Sequence, residues 1–203
     1  KVLVSGLVLA LGFVSAASIV QAAGNANAGQ AKTAICAGCH GADGNSAVPN
    51  FPKLAGQGER YLVKQITDIK EGLRPVVEMT GMTDNLSEQD IADIAAFYAS
   101  QPATTGVANP DTIELGKQLY RAGNSAKGIP AWAGCHSPNG MGNAPAGFPM
   151  LAGQHAIYIE TQLMKYRAGE RAYDNNGNMM RDIAANLSDS EVKALANYIS
   201  GLY

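Results

Sequence analysis

The spacing of apolar residues predicts a helix in each half of the chain. Three or four residues separate successive apolar positions in segments 59–71 and 156–168, so these side chains share one helical face. They are Leu62, Ile66 and Ile69 in the first segment and Ile159 and Leu163 in the second.

A second pair of predicted helices opens with a capping signal. Ser87 is followed three residues later by Asp90, and Ser188 by Glu191, which is the arrangement of a capping box. Apolar residues then follow at helical spacing: Ile91, Ile94 and Tyr98, and Val192, Leu195 and Ile199. Two further helices are expected near residues 29–36 and 112–122. Because no segment clearly alternates apolar and polar residues as a half-buried strand does, the sequence predicts an all-α fold.

The second half of the chain repeats the first. Phe51-Pro-Lys-Leu-Ala-Gly-Gln57 returns 97 residues later as Phe148-Pro-Met-Leu-Ala-Gly-Gln154. Four more residues recur at the same offset: Tyr61, Gln65, Gly72 and Arg74 match Tyr158, Gln162, Gly169 and Arg171. Such self-similarity indicates two tandem domains, and Pro, Thr and Gly residues between positions 101 and 110 indicate the linker. We expect the domains at 24–105 and 106–203.

The chain begins with a strongly apolar segment. Residues 2–20 are almost uninterrupted apolar residues after Lys1, which is typical of an export signal. Val20-Gln-Ala22 offers a cleavage site, yet a helix of 19 apolar residues measures about 28 Å, close to the hydrocarbon thickness of a bilayer. We expect residues 1–23 to be a signal peptide or a retained transmembrane helix. We favour a retained anchor at residues 2–20, with the rest of the chain on the periplasmic side of the bacterial inner membrane.

Charge and cysteine content exclude two other kinds of protein. Lys and Arg total 15 against 17 Asp and Glu, so the net charge is −2, whereas a nucleic-acid-binding surface is basic. The three cysteines all lie in the two motifs described next, so disulfides are not the framework of the fold.

Cys36-Ala-Gly-Cys39-His40 has the spacing that attaches a haem covalently. Its two thiols meet the two haem vinyl groups, and the adjacent imidazole faces the iron. A Cys pair alone would also suit a redox or zinc site. However, a structural zinc site needs four ligands, and the remaining cysteine again precedes a histidine, in Cys135-His136. The two motifs therefore predict two haem c groups.

The repeat also selects a sixth ligand for each iron among the seven methionines. Met79 lies seven residues before Leu86, and Met180 lies seven residues before Leu187. Met82 is the runner-up in the first half. His/Met ligation fills both axial positions and raises the reduction potential. The alternative is that these methionines only fill gaps in the core.

Two prolines are candidates to orient the ligating histidines. The carbonyl groups of Pro52 and Pro149 follow the two motifs in matching positions, and a ligating histidine usually donates its second N–H to such an acceptor. The alternative is that these prolines only shape a turn. His155 corresponds to Gly58 in the repeat and is expected at the surface.

Together these residues resemble the cytochrome c4 family, the dihaem electron carriers of bacterial respiratory chains. The likeness runs from residue 23 to residue 203 and includes segments 36–40, 50–61, 78–82 and 147–155. It implies two class I cytochrome c domains related by a pseudo-twofold axis, with the haem propionates facing each other across the interface. It also implies Met79 and Met180 as axial ligands and Pro52 and Pro149 as histidine partners.

The resemblance implies a function as well. Members pass electrons from the quinol-oxidising bc1 side of the respiratory chain toward a terminal oxidase, notably of the cbb3 type, and no enzymatic activity is expected. Two rivals stay open. A dihaem peroxidase needs an iron with an accessible face, which Met79 and Met180 argue against. A permanent haem subunit would never leave its oxidase or dehydrogenase complex.

One residue departs from the family pattern. Trp132 stands where the first cysteine of the second motif is expected, so one thioether bond would be missing and the second haem would be attached through Cys135 alone. The bulky indole is a poor fit for this place and could tilt or expose the haem. The alternative is that Trp132 replaces the residue that the gene encodes.

Overall fold

The computed structural model describes residues 23–171 and 177–203. Over these residues the chain is helical, with three short 3₁₀ turns, two isolated β-bridges and no β-strand. This confirms the predicted all-α fold. The helices are α1 (Ala26–Gln30), α2 (Ala34–His40), α3 (Glu59–Lys70), α4 (Glu88–Ser100), α5 (Ile113–Ala122), α6 (Ala133–His136), α7 (Ala156–Ala168), α8 (Met179–Ala185) and α9 (Asp189–Ser200).

The helix predicted near residues 29–36 is two helices, α1 and α2. The Thr33 hydroxyl donates to the carbonyl of Gln30 at 2.9 Å and closes a turn between them. Lys32, in the same turn, forms ion pairs with Asp90 and Asp93 of α4 at 2.6 and 2.8 Å. The ion pairs hold the end of α1 against α4, and the turn separates α1 from α2.

Each domain is built on a close crossing of its first and last helices. α1 packs on α4 in the first domain, and α5 packs on α9 in the second. A Cβ at Gly29 would lie 2.0 Å from the Asp93 carbonyl oxygen, and one at Gly116 would lie 2.2 Å from that of Ala194. Glycine is therefore required at both crossings. α3 and α7 pack against α4 and α9 and complete two separate cores.

Both predicted capping boxes are confirmed. The Ser87 hydroxyl accepts from the backbone N–H of Asp90, and the Asp90 carboxylate accepts in turn from the backbone N–H of Ser87 at 2.8 Å. Ser188 and Glu191 make the same pair of contacts at the start of α9. These caps satisfy amide groups that the helices leave unpaired at their first turns.

The two domains meet through reciprocal contacts. The Gln57 side chain bonds both backbone groups of Met150, at 3.0 and 2.8 Å, and the Gln154 side chain bonds both backbone groups of Lys53, each at 2.9 Å. Gln57 and Lys53 match Gln154 and Met150 in the repeat. Equivalent residues thus exchange the same bonds in both directions, as a twofold relation requires.

Within the described residues, no helix combines the length and apolar character needed to cross a membrane. The predicted N-terminal hydrophobic helix, at residues 2–20, lies outside them. The predicted division at 105/106 stays a prediction.

Candidate haem-binding sites

α2 brings the first motif to the wall of a cavity of about 760 Å³. Cys36 and Cys39 are three residues apart and therefore lie on one helical face, half-buried. Burial raises the pKa of the Cys36 thiol, although a backbone hydrogen bond opposes it. His40 ends the helix and is 8% exposed. The two thiols and the imidazole all line this cavity.

The ring of His40 is held in one tautomer. Its Nδ1 lies 2.9 Å from the carbonyl oxygen of Pro52. Because a carbonyl can only accept, Nδ1 carries the proton and Nε2 keeps its lone pair. Burial lowers the pKa of His40, although the bond to Pro52 opposes it. The side chain is therefore a neutral imidazole, which is the form that binds metals.

Two methionines line the same cavity. Met79 ends a 3₁₀ turn (Val77–Met79) and is half-buried, whereas Met82 is 36% exposed. The difference in burial favours Met79 as the residue that faces the interior.

α6 presents the second motif to a smaller cavity, of about 430 Å³. His136 is 5% exposed, and its Nδ1 lies 3.0 Å from the carbonyl oxygen of Pro149. Burial lowers its pKa, with Pro149 acting in the opposite direction. Cys135 is half-buried at the same wall. The two histidines are thus oriented by equivalent prolines.

α8 begins at Met179, and its first two residues are both methionines that line the second cavity. Met180 is half-buried and packs against the core of its domain, while Met179 is 36% exposed. As in the first domain, the methionine selected by the repeat is the more buried of the two.

A family model for cytochrome c matches the chain twice, over residues 26–101 and 113–202. The chain is 56% identical over 203 residues to cytochrome c4 of Pseudomonas aeruginosa, a match that covers all of this chain and 99% of that protein. The chain belongs to the cytochrome c4 family. The crystal structure of reduced cytochrome c4 from Pseudomonas stutzeri agrees, with a TM-score of 0.88 at 53% identity, over 89% of this chain and 100% of the other.

Some relatives of the chain have a more specific name. A protein of Stutzerimonas stutzeri called thiosulfate dehydrogenase electron acceptor is 37% identical over 171 residues, covering 82% of this chain and 78% of that one. Membership of the cytochrome c4 family makes the chain a dihaem electron carrier with covalently bound haem c.

The donor sets of the two cavities differ in how well they fit haem c. The first offers two thiols, a neutral imidazole and a thioether, which are the groups that anchor and ligate a haem. The second offers one thiol, with the same imidazole and thioether types. It therefore fits a haem with a single covalent bond.

Trp132 occupies the place of the missing thiol. It is 4% exposed and stacks on His136, with ring centroids 5.7 Å apart and an angle of 27° between the planes. Its indole Nε1 is buried and has no hydrogen-bond partner among the described residues. The residue also lines the second cavity, so the indole takes up volume that a cysteine would leave free.

The prediction that His155 lies at the surface is wrong. The residue is half-buried between the domains, and its Nε2 lies 2.8 Å from the carbonyl oxygen of Ser46. The partner comes from the other domain, 109 positions away. No repeated pattern marks such a contact, because it has no counterpart in the other half.

Proposed function

We propose that the protein holds two low-spin haems with His/Met ligation and relays electrons without catalysing a reaction of its own. The observation that carries the proposal is the repeated geometry of the two cavities. Each is lined by a buried neutral imidazole, oriented by a proline carbonyl, and by a half-buried methionine. The assigned residues are Cys36, Cys39, His40 and Met79, and Cys135, His136 and Met180.

The haem supplies reversible one-electron exchange at its iron, and the chain supplies its ligands and surroundings. Pro52 and Pro149 keep Nδ1 protonated, so the lone pair of Nε2 on each histidine would be available to the haem iron. Apolar side chains such as Leu62, Ile66 and Ile94 line part of the first cavity, where they would limit the access of water to the haem and favour the less charged, reduced state. Met79 and Met180 would occupy the sixth positions of the two irons and leave no site for substrate, which is the argument against a dihaem peroxidase.

For the second haem we propose attachment through Cys135 alone. The support is the position of Trp132, whose side chain has no group that adds to a vinyl. His136 and Met180 would then contribute a larger share of the haem-binding energy in the second domain than His40 and Met79 do in the first.

Intact mass and optical spectra of the purified holoprotein test this function. We expect a mass equal to the chain plus two haems, and the weak far-red absorption of Met-ligated ferric haem. One haem per chain, rapid cyanide binding by the resting ferric protein, or rapid peroxide turnover would contradict the proposal. The same mass reports whether residues 1–22 remain attached and which residue stands at position 132.

We further propose a place in respiration on the periplasmic side of the inner membrane, with residues 2–20 as an anchor. Electrons would enter from the bc1 complex and leave to a cbb3-type oxidase. The apolar segment 2–20 and the family membership support this route. Stopped-flow reduction by purified bc1 complex, followed by oxidation by the oxidase, measures both steps, and failure of either step would exclude that partner.

A second donor is favoured by the relative named thiosulfate dehydrogenase electron acceptor. In that case a dehydrogenase acting on a sulfur compound would reduce the protein. Comparing reduction rates with the two donors at equal concentration decides between them. Detergent extraction followed by size fractionation decides whether the cytochrome is instead a permanent subunit, which would stay with a larger complex.

A further inference from the structure

Three pairs of repeated residues meet between the two domains. They are Tyr61 and Tyr158, Gln65 and Gln162, and Arg74 and Arg171. The haem assignments above use none of them. Their side chains form one hydrogen-bonded cluster, which we call the interdomain arginine cluster.

Arg171 is the more buried of the two arginines, at 6% exposed. It donates to Gln162 of its own domain at 2.8 Å. Across the interface it donates to the Tyr61 hydroxyl at 2.9 Å and to Gln65 at 2.8 Å. Its guanidinium also lies over the ring of Tyr166, 4.6 Å from the centroid.

Arg74 makes the equivalent contacts from the first domain. It donates to Gln65 of its own domain at 2.7 Å, and across the interface to the Tyr158 hydroxyl at 3.1 Å and to Gln162 at 3.2 Å. Each glutamine amide oxygen therefore accepts from both arginines, and the two positive charges lie close together.

The cluster holds an excess of positive charge. Within residues 23–171 and 177–203, no carboxylate forms an ion pair with Arg74 or Arg171. Burial by itself raises the pKa of Tyr158, yet the two arginines outweigh it and lower that pKa. A buried cation without an anion is costly. The cluster is thus an environment that stabilises negative charge.

The cluster also lies between the two haem cavities and borders both of them. Arg171, Tyr61, Gln65 and Gln162 line both cavities, and Arg74 lines the first. An anionic group in either cavity can therefore reach the same positive charges. Haem carries two propionate groups, which are anions.

We infer that Arg74 and Arg171 form a shared cation pair that binds carboxylate groups of both haems and so sets the two reduction potentials jointly. This inference rests on the proposed function. Reduction adds an electron to each haem, and nearby positive charge favours the reduced state. Since each arginine contacts both domains, its charge acts on both haems.

Site-resolved redox titration of the holoprotein tests the pair, with the two haems distinguished by NMR of their methionine methyl groups. We expect Arg74→Gln to lower both midpoint potentials, and Arg171→Gln to do the same. Arg171→Lys keeps the charge and should cause a smaller shift. Lys117→Gln removes one charge from the exposed surface and serves as the matched control, with little change expected.

Several results would overturn the inference. They are a shift confined to the haem of the mutated domain, a shift no larger than that of Lys117→Gln, or a loss of thermal stability without any shift. If Arg171→Gln does not fold, Arg74→Gln and Arg171→Lys carry the same test. A wild-type protein without two reversible haems would instead overturn the proposed function.

A second experiment tests whether the cluster binds haem carboxylates or a free anion from solution. The wild-type potentials are measured with increasing inorganic phosphate at constant ionic strength. We expect no change, because the site is filled by groups of the holoprotein. Potentials that follow the phosphate concentration would mean that the cluster binds solution anions, against the inference.

Discussion

Trp132 and its counterpart Cys36 give the two domains different chemistry at a single position. A thiol there adds to a vinyl group and saturates it. The indole instead packs into the core of the second domain and stacks on His136. With the attachment proposed above, through Cys135 alone, the second haem would keep one conjugated vinyl group and have one covalent bond fewer.

Trp132→Cys should restore the missing thioether bond. Because the vinyl group is then saturated, we expect the alkaline pyridine spectrum of the second haem to move to shorter wavelength. Cys36→Ala is the matched variant and should move the first haem in the opposite direction. An unchanged spectrum in Trp132→Cys would show that no vinyl group was free.

Met79 and Met82 line one cavity but differ in burial. We expect Met79→Ala to open the sixth position of the first iron, and so to remove about half of the far-red absorption, since one of two Met-ligated irons is lost. Cyanide binding should appear at the same time. Met82→Ala is the control and should do neither. The opposite result would reassign the ligand to Met82.

At the scale of helices, the crossings of α1 on α4 and of α5 on α9 bring backbones into contact without intervening side chains. Helices usually pack 8–10 Å apart, and a glycine permits a closer approach. α1 has only five residues, so its stability comes from this contact and from the ion pairs of Lys32.

Gly29→Ala should destabilise the first domain by about 1–3 kcal/mol, the usual cost of adding volume to a packed site. The new methyl group would overlap the carbonyl of Asp93. Gly38→Ala is the control, because the added carbon would meet no atom within 4 Å beyond its chain neighbours and the backbone of its own helix, and it should be neutral or slightly stabilising. Chemical denaturation measures the free energy of unfolding of both variants. An equal change in the two variants would contradict the close crossing.

At the scale of the whole molecule, two glutamines pair reciprocally across the interface, whereas the contact of His155 with Ser46 has no counterpart. Gln57 and Gln154 each satisfy two backbone groups of the other domain. Such bonds depend on the orientation of the domains, so the interface favours one arrangement of the two haem cavities.

Gln57→Ala should weaken the interface by about 1–3 kcal/mol, because two backbone groups of Met150 lose their partner. In calorimetry we expect the two domains to unfold in more separate transitions. Gln118→Ala, on the exposed side of α5, is the control. A single unchanged transition in Gln57→Ala would mean that the interface does not couple the domains.

The sequence predicted the parts of this protein that depend on local chemistry. Apolar spacing and capping residues predicted helices α3, α4, α7 and α9. The internal repeat predicted the number of domains. The motifs around His40 and His136 predicted haem attachment because covalent attachment demands fixed spacing along the chain. The break after α1 was missed, since it depends on ion pairs with a helix about 60 residues away.

What only the tertiary structure decided is what lies between the domains. The repeat marked Arg74 and Arg171 as equivalent but gave no reason for their presence. The hydrogen bonds that these arginines make across the interface join residues 84 to 110 positions apart in the sequence. A pattern along the chain records what a residue needs from its neighbours in sequence. Which charges meet across two folded domains depends on how those domains dock.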